Sequence, residues 1–350
     1  MTRARSLHFV IPGDLRSPTG GYGYDRRIIA GLSALGWQVT VHALDAGFPA
    51  PSAAALDHAQ RTFAGLPDAA LVLVDGLALG AMPQIAHAHA ARVRLVALIH
   101  HPLAAESGLP PGLARRLACS EGLALAAVRH VIVTSDATAL ALREFNVEPS
   151  RVSVVEPGTD AAPLARRVRG ETLQLLCVAT LIPRKGHDLL FTALAALQSW
   201  RWHLTCVGSL TRDPDTVARV RAQLQHLGLE ERVRLAGELD CAQLSQLYGD
   251  CDLFVLPTRF EGYGMVVAEA LAHGVPIIGT HTGAIAQLVA PGAGLLVAPG
   301  DAQGLQVALN RALAEPGLLD TLAAGAAAVR SGLRTWQQAC VHMSQTLEPL

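Results

Sequence analysis

The first half of the chain alternates short, almost wholly apolar runs with segments in which apolar residues recur every three or four positions. "LHFVIPG" leads to "DRRIIAGLSALG" and then to "QVTVHAL"; "ALVLVDG", "VRLVALIHH", "HVIVTS" and "VSVVEPG" continue the series. Near-continuous apolar strands separated by helices predict a parallel sheet covered on both faces. The pattern lapses in "VEPGTDAAPLARRVRGET", which is richer in Pro, Gly and Arg. It restarts with "LQLLCVATL", "WHLTCVG", "RVRLAGEL", "CDLFVLPT", "VPIIGT" and "AGLLVAPGD". The prediction is an α/β protein of two doubly wound, Rossmann-like domains, residues 1–163 and 164–332, facing a central cleft at the carboxyl ends of their strands.

A chain of 350 residues suits two such domains, each of roughly 150 residues. Half of it is hydrophobic (51%) and 16% is charged, yet no run of about 18 uninterrupted apolar residues predicts a transmembrane segment. The start, "MTRARSLHFVIPGD", lacks the apolar core of a secretory signal. The six cysteines, Cys119, Cys177, Cys206, Cys241, Cys251 and Cys340, are scattered without CxxC spacing, which predicts reduced thiols and a cytoplasmic protein. A formal net charge of -1 gives no global pull toward nucleic acid or anionic lipid, so any anion must be met by a local site.

Four stretches carry candidate chemistry. In "FEGYGMVVAEALAHG" a helix is expected to begin near Gly264 and stop at Gly274, which leaves Glu261 in the preceding loop. The glycines there let a ligand approach the backbone, and the free N–H groups of the first turn favour a phosphate. Glu269 lies in an apolar run and needs a polar partner; ligand hydroxyls, a nearby Arg and a backbone group are all candidates. "ATLIPRKGHDLLFTALAAL" places Arg184 and Lys185 between a strand and a helix, where two cations suit a diphosphate, although solvated basic loops are common. "RSPTGGYGYDRRIIAGLSALG" sets Gly20, Gly21 and Gly23 in a loop between the first strand and its helix, a place where α/β proteins bind phosphates. Its spacing is not the dinucleotide fingerprint, and a plain loop is the alternative. "VRLVALIHHPLAAESG" brings His100 and His101 to a strand end; adjacent strand residues face opposite ways, so one is expected toward the ligand and one into the packing. "DCD" at 250–252 and "DPD" at 213–215 read as caps and turns, and with no clustered Cys or His in the sequence no required metal is expected.

In this order these elements resemble the family 4 retaining glycosyltransferases of GT-B fold, over essentially the whole chain. The most specific part is "EGYGMVVAEALAHGVPIIGT", which is similar to the family's paired glutamates followed by a small residue, Gly, Pro and a strand. The resemblance implies that Glu261 contacts the transferred sugar and that Glu269 holds the nucleotide's ribose. It implies that Arg184 and Lys185 neutralise the diphosphate, that Gly20 and Gly21 admit the donor phosphates, and that His100 touches the sugar. Backbone groups of Gly262, Tyr263 and Gly264 would cap the phosphates, and the final helix, within 333–350, would pack back on the first domain. One departure is "THTGAIAQLV", where Thr282 replaces the first glycine of the family's pair and Gln287 stands near its glutamate.

The implied activity is metal-independent transfer of a hexose from a nucleotide-diphosphate sugar to an unidentified acceptor, with retention at the anomeric carbon. The sugar nucleotide would be a co-substrate, and no cofactor is implied. A nucleotide-sugar epimerase of the same fold and a non-catalytic sugar-nucleotide-binding protein are the alternatives. The partners expected are the donor and a small-molecule, glycan or lipid acceptor, without nucleic acid and with peripheral membrane contact left open.

Overall fold

The computed structural model describes residues 5–106, 108–166 and 171–350. The chain divides into two compact units, Met1–Gly158 with Arg334–Leu350, and Thr159–Leu333.

The first unit is built on β1 (Ser6–Pro12), β2 (Gln38–Leu44), β3 (Leu71–Asp75), β4 (Arg94–Ile99), β5 (His130–Val133) and β6 (Val152–Val154). They form one sheet in the order β2-β1-β3-β4-β5-β6, and every pairing is parallel. All five residues of β3 are buried, because helices cover both of its faces and leave no side of the strand for water. The helix Gly20–Ala34 buries Tyr22, Tyr24, Asp25, Ile28 and Leu32 on one stripe. Ile28 and Leu32 are fully buried, each worth about 1.5–3 kcal/mol.

The last helix, Trp336–Leu347, packs on that same helix within this unit. The Trp37 indole N–H donates to Ser344 Oγ at 2.9 Å, and Arg27 lies 5.2 Å from the centre of the Trp336 ring. Thr335 begins this helix with a reciprocal capping box to Gln338, which satisfies two otherwise orphaned N–H groups.

The second unit comprises β7 (Leu173–Val178), β8 (Trp202–Val207), β9 (Val233–Gly237), β10 (Leu253–Leu256), β11 (Ile277–Thr280) and β12 (Gly294–Val297). Their order is β12-β11-β10-β7-β8-β9, again all parallel. The two parallel six-stranded sheets with flanking helices are the α/β architecture that the hydrophobic pattern predicts, strand for strand. Among the described residues no single helix is long and apolar enough to cross a membrane.

Strand order decides where a site can form. Successive strands run outward in opposite directions from the β1/β3 neighbours in the first unit and from β7/β10 in the second. At such a switch point the two chains leaving the strand ends diverge and open a crevice. The segments after β1, β7 and β10 carry Gly20 and Gly21, Arg184 and Lys185, and Glu261 respectively, and Asp75 is the last residue of β3.

Candidate functional site

In the second unit the segment after β7 turns through the short 3-10 helix Pro183–Lys185 into the helix His187–Ala195. Arg184 is buried and its Nη1 donates to the Phe260 carbonyl at 2.9 Å. Lys185 Nζ lies 2.5 Å from Glu261 Oε2, and Arg184 Nη1 lies 4.0 Å from the same oxygen. The two cations predicted to face a diphosphate therefore converge first on Glu261. All three side chains are only 11 to 14% exposed, so their mutual attraction is screened far less than that of a surface pair.

The loop after β10 is held from several sides. The Thr258 hydroxyl lies 3.1 Å from the Arg184 carbonyl and 2.8 Å from that of Phe260, and Thr280 Oγ1 donates to the Thr258 carbonyl. Gly283, with φ +54°, stacks so closely that a Cβ there would lie 1.5 Å from the Glu261 carbonyl oxygen. Gly262 and Gly264 are buried, and the Tyr263 ring packs with Ala268 and Ala284.

Gly264, with φ +95°, caps the helix Met265–Ala272, which starts where the sequence places it. Glu269, in the middle of this apolar helix, is partly buried. Its Oε2 accepts a hydrogen bond from the Tyr248 hydroxyl at 3.0 Å. Burial, and then the Glu269 charge, push the Tyr248 phenol well above its ordinary value, so it serves as a neutral donor. None of the sequence alternatives for the partner of Glu269 was a tyrosine. Tyr248 lies 21 residues away in the helix Cys241–Asp250, and only the packing of two helices brings it there.

In the first unit, Gly20 and Gly21 are not in a loop as the sequence reading had them. They form the first turn of the helix Gly20–Ala34, whose N-cap Thr19 accepts from the Tyr22 N–H. The cap fixes the turn, so the glycines offer helix N–H groups and the positive end of the dipole. Around Gly20 a Cβ would meet nothing within 4 Å. At Gly21 it would lie 3.3 Å from His100 Cδ2, so Gly21 is what lets the imidazole lie against the helix.

His100 and His101 approach different carboxylates. His100 Nε2 lies 3.3 Å from Asp25 Oδ1 and 3.7 Å from Asp75 Oδ2, whereas His101 Nε2 lies 3.9 Å from Glu106 Oε2. The two rings are 20% and 22% exposed. Burial alone would lower the His100 proton affinity, but the Asp25 and Asp75 carboxylates reverse this and raise it. Burial, and then the Asp25 charge, lift Asp75 to about 7. Neither Asp25 nor Asp75 stands out in the sequence: Asp25 is followed by Arg26 and Arg27 like an ordinary charged helix position, and Asp75 closes an apolar strand as the N-cap of the next helix.

Among the described residues the fold also makes metal-compatible groupings where the sequence showed no clustered ligands. Cys177, His187 and Cys206 are buried with ligand atoms within 4.8 Å of one another; Asp25, Asp75 and the partly buried His100 are equally close. Cys177 and Cys206 are partners across β7 and β8, so register creates a sulfur and nitrogen set from residues 29 apart in sequence; such a set suits a soft cation.

Each unit is thus a doubly wound α/β fold with polar and charged side chains at its switch point. Residues 26–162 match the family model described as Glycosyltransferase Family 4, and 164–328 match Glycosyl transferases group 1. The chain belongs to the family 4 glycosyltransferases of GT-B fold.

The D-inositol 3-phosphate glycosyltransferase of Frankia alni is 30% identical over 246 residues, 64% of this chain and 58% of that protein. The MMP alpha-(1->4)-mannosyltransferase of Mycolicibacterium hassiacum is 28% identical over 291 residues, 77% of this chain and 68% of that protein. In fold, the chain is similar to sucrose-phosphate synthase from Thermosynechococcus elongatus, with TM-score 0.83, 21% identity, and 99% and 98% of the two chains covered. It is also similar to Anabaena Alr3699/HepE in complex with UDP and glucose, with TM-score 0.78, 22% identity, and 98% and 100% covered.

Proposed function

We propose that the chain transfers a hexose from a nucleoside-diphosphate sugar to an acceptor nucleophile, with retention at the anomeric carbon and without a required metal. The observation that carries this reading is the convergence of Arg184 and Lys185 on Glu261, next to the helix start at Gly264 and a turn and a half from Glu269. Two cations held close together at a helix start suit an incoming anion. The first-turn N–H groups of the helix Met265–Ala272 add donors that need no reorganisation during the reaction. The relatives named above are transferases by name, and one solved structure of similar fold holds UDP and glucose; nothing comparable favours an epimerase.

In the proposed reaction the bond from the anomeric carbon to the phosphate oxygen breaks, and its electron pair leaves with the diphosphate. The acceptor oxygen bonds the same face of that carbon, and its proton passes to the departing phosphate oxygen. Arg184 and Lys185 stabilise the leaving group, Glu269 accepts hydrogen bonds from the ribose hydroxyls beside Tyr248, and Glu261 orients the sugar. Glu261 is engaged by Lys185 at 2.5 Å, which weakens it as a nucleophile and favours the front-face route over a covalent glycosyl-enzyme. The acceptor is unassigned.

The test is a panel of nucleoside-diphosphate sugars scored for nucleotide release in the presence of EDTA. Release from one donor, lost in Glu261→Gln and in Lys185→Ala, is the expected result. No release from any donor, or accumulation of an epimerised sugar nucleotide instead, overturns the reading.

A further inference from the structure

Asp25 and Asp75 have no part in the transfer scheme above, yet they are among the charged groups most completely withdrawn from water, at 0% and 2% exposure. Asp75 Oδ1 accepts the Leu77 N–H at 2.7 Å. Neither oxygen of Asp25 has a hydrogen-bond partner of good geometry, and nor does the His100 Nε2 that faces them. An ionised carboxylate left this way costs several kcal/mol, and two side by side cost more. The arrangement is tolerable only if the three groups share charge, with a cationic ring between the carboxylates.

The other neighbours do not supply that charge. Tyr24, whose ring meets His100 edge-on at 5.4 Å, is kept neutral by burial and gives its hydroxyl proton to the Val155 carbonyl at 2.9 Å. The Thr134 and Thr138 hydroxyls each lie 3.4 Å from the His100 carbonyl, and Thr138 Oγ1 also accepts from Ser135 Oγ at 3.0 Å, so neither brings a charge to the ring. His101 is occupied with Glu106 on the same segment.

The ring's orientation follows from the same contacts. Nε2 is buried against the carboxylates, and the Cδ2 edge lies against Gly21. The side chain is 20% exposed, and Nδ1 lies on the ring edge away from those contacts and is not among the buried, unpartnered atoms. If the ring were neutral with its proton on Nε2, Nδ1 would be an acceptor and would repel the lone pairs of a phosphate or hydroxyl oxygen.

We propose that Asp25 and Asp75 are positioning residues that turn His100 Nε2–H into the protein and hold the ring as an imidazolium, so that Nδ1–H meets an anionic or hydroxyl oxygen of the ligand as a charged donor. The ligand side of this inference rests on the sugar-nucleotide reading; the state of the ring does not. Asp25 carries the larger effect. Asp75 holds a proton below about pH 7, where Asn would imitate it.

The experiment is a pH titration of the 15N-labelled imidazoles of the free full-length protein, with His100→Gln to assign the signals, alongside kcat/KM for nucleotide release across the same range. His100 is expected to carry protons on both nitrogens at pH 7 and to titrate above the ordinary value of about 6.5. Asp25→Asn should lower its proton affinity at least tenfold and move the alkaline limb of kcat/KM toward lower pH by the same interval. Asp75→Asn should leave the profile below pH 7 nearly unchanged. A wild-type ring that is neutral at pH 7, or a titration unmoved in Asp25→Asn, overturns the inference. So does stoichiometric binding of Mn2+ or Zn2+ that abolishes the ring's titration, which would make the three groups cation ligands. If Asp25→Asn fails to fold, the wild-type nitrogen shifts decide alone. If no donor is turned over, the free-protein titration still decides the state of His100, so the two readings fail separately.

Discussion

Replacing Gly283 by Ala tests whether the backbone of Glu261 is held in place for the reaction. The new methyl carbon would sit 1.5 Å from the Glu261 carbonyl oxygen and 2.7 Å from its carbonyl carbon. A non-bonded contact of this kind relaxes only near about 3.5 Å, so the two loops must part by roughly 2 Å. The left-handed φ of +54° adds a conformational cost of about 1–2 kcal/mol for a residue with a side chain. Both loops lie outside the main hydrophobic core, so the overpacking adds about 1–3 kcal/mol and the total destabilisation is expected to be about 2–5 kcal/mol. The functional effect is larger, since misplacing a reacting group by about 1 Å can cost about 100-fold in rate. The shift also separates Lys185 from Glu261, now 2.5 Å apart. We expect kcat for nucleotide release to fall about 100-fold in a protein that still unfolds cooperatively in urea. A folded variant with kcat within about threefold of wild type would refute the claim that this contact fixes Glu261.

Gly20→Ala should leave stability unchanged or slightly raised, because nothing lies within 4 Å of the new carbon and Ala is the better helix former. Its donor affinity by calorimetry should nonetheless drop about tenfold or more, and retained affinity would remove Gly20 from the site. Lys185→Ala removes the cation that lies 2.5 Å from Glu261 and should lower kcat by about 100- to 1000-fold; turnover near wild type would exclude Lys185 from leaving-group stabilisation.

Glu121, fully buried with Oε2 accepting the Leu103 N–H at 2.9 Å, is raised by burial from 4.5 to about 7. A carboxyl whose folded value is raised contributes most below 4.5 and loses that contribution as pH rises through about 7, a swing of about 3 kcal/mol. Glu121→Gln should accordingly be the more stable protein at pH 8 and no more stable than wild type at pH 4, read from urea midpoints. Equal pH slopes in the two proteins would show that Glu121 is not the titrating group.

The fold was legible because each strand signals itself locally. β3, "LVLVD", and β11, "IIGT", are apolar on both faces, and that requirement is written residue by residue in the chain. Residues in a loop or at a helix start were legible for the same reason. Arg184, Lys185, Glu261 and Gly264 stand beside glycines and strand ends that mark where the backbone turns.

Their partners were not legible. Lys185 meets Glu261 across 76 residues, Asp25 meets His100 across 75, and Tyr248 meets Glu269 between two helices. Such pairs exist only after strand order and helix packing have been settled. The need of Glu269 for a polar neighbour was predictable from its apolar surroundings; that a tyrosine meets it was not. Sequence alone determined the two sheets, the positions of the turns and the types of charge available at them. Tertiary structure decided which charges neutralise one another, because desolvation and Coulomb energies depend on distances through space, which the order of residues along a chain does not set.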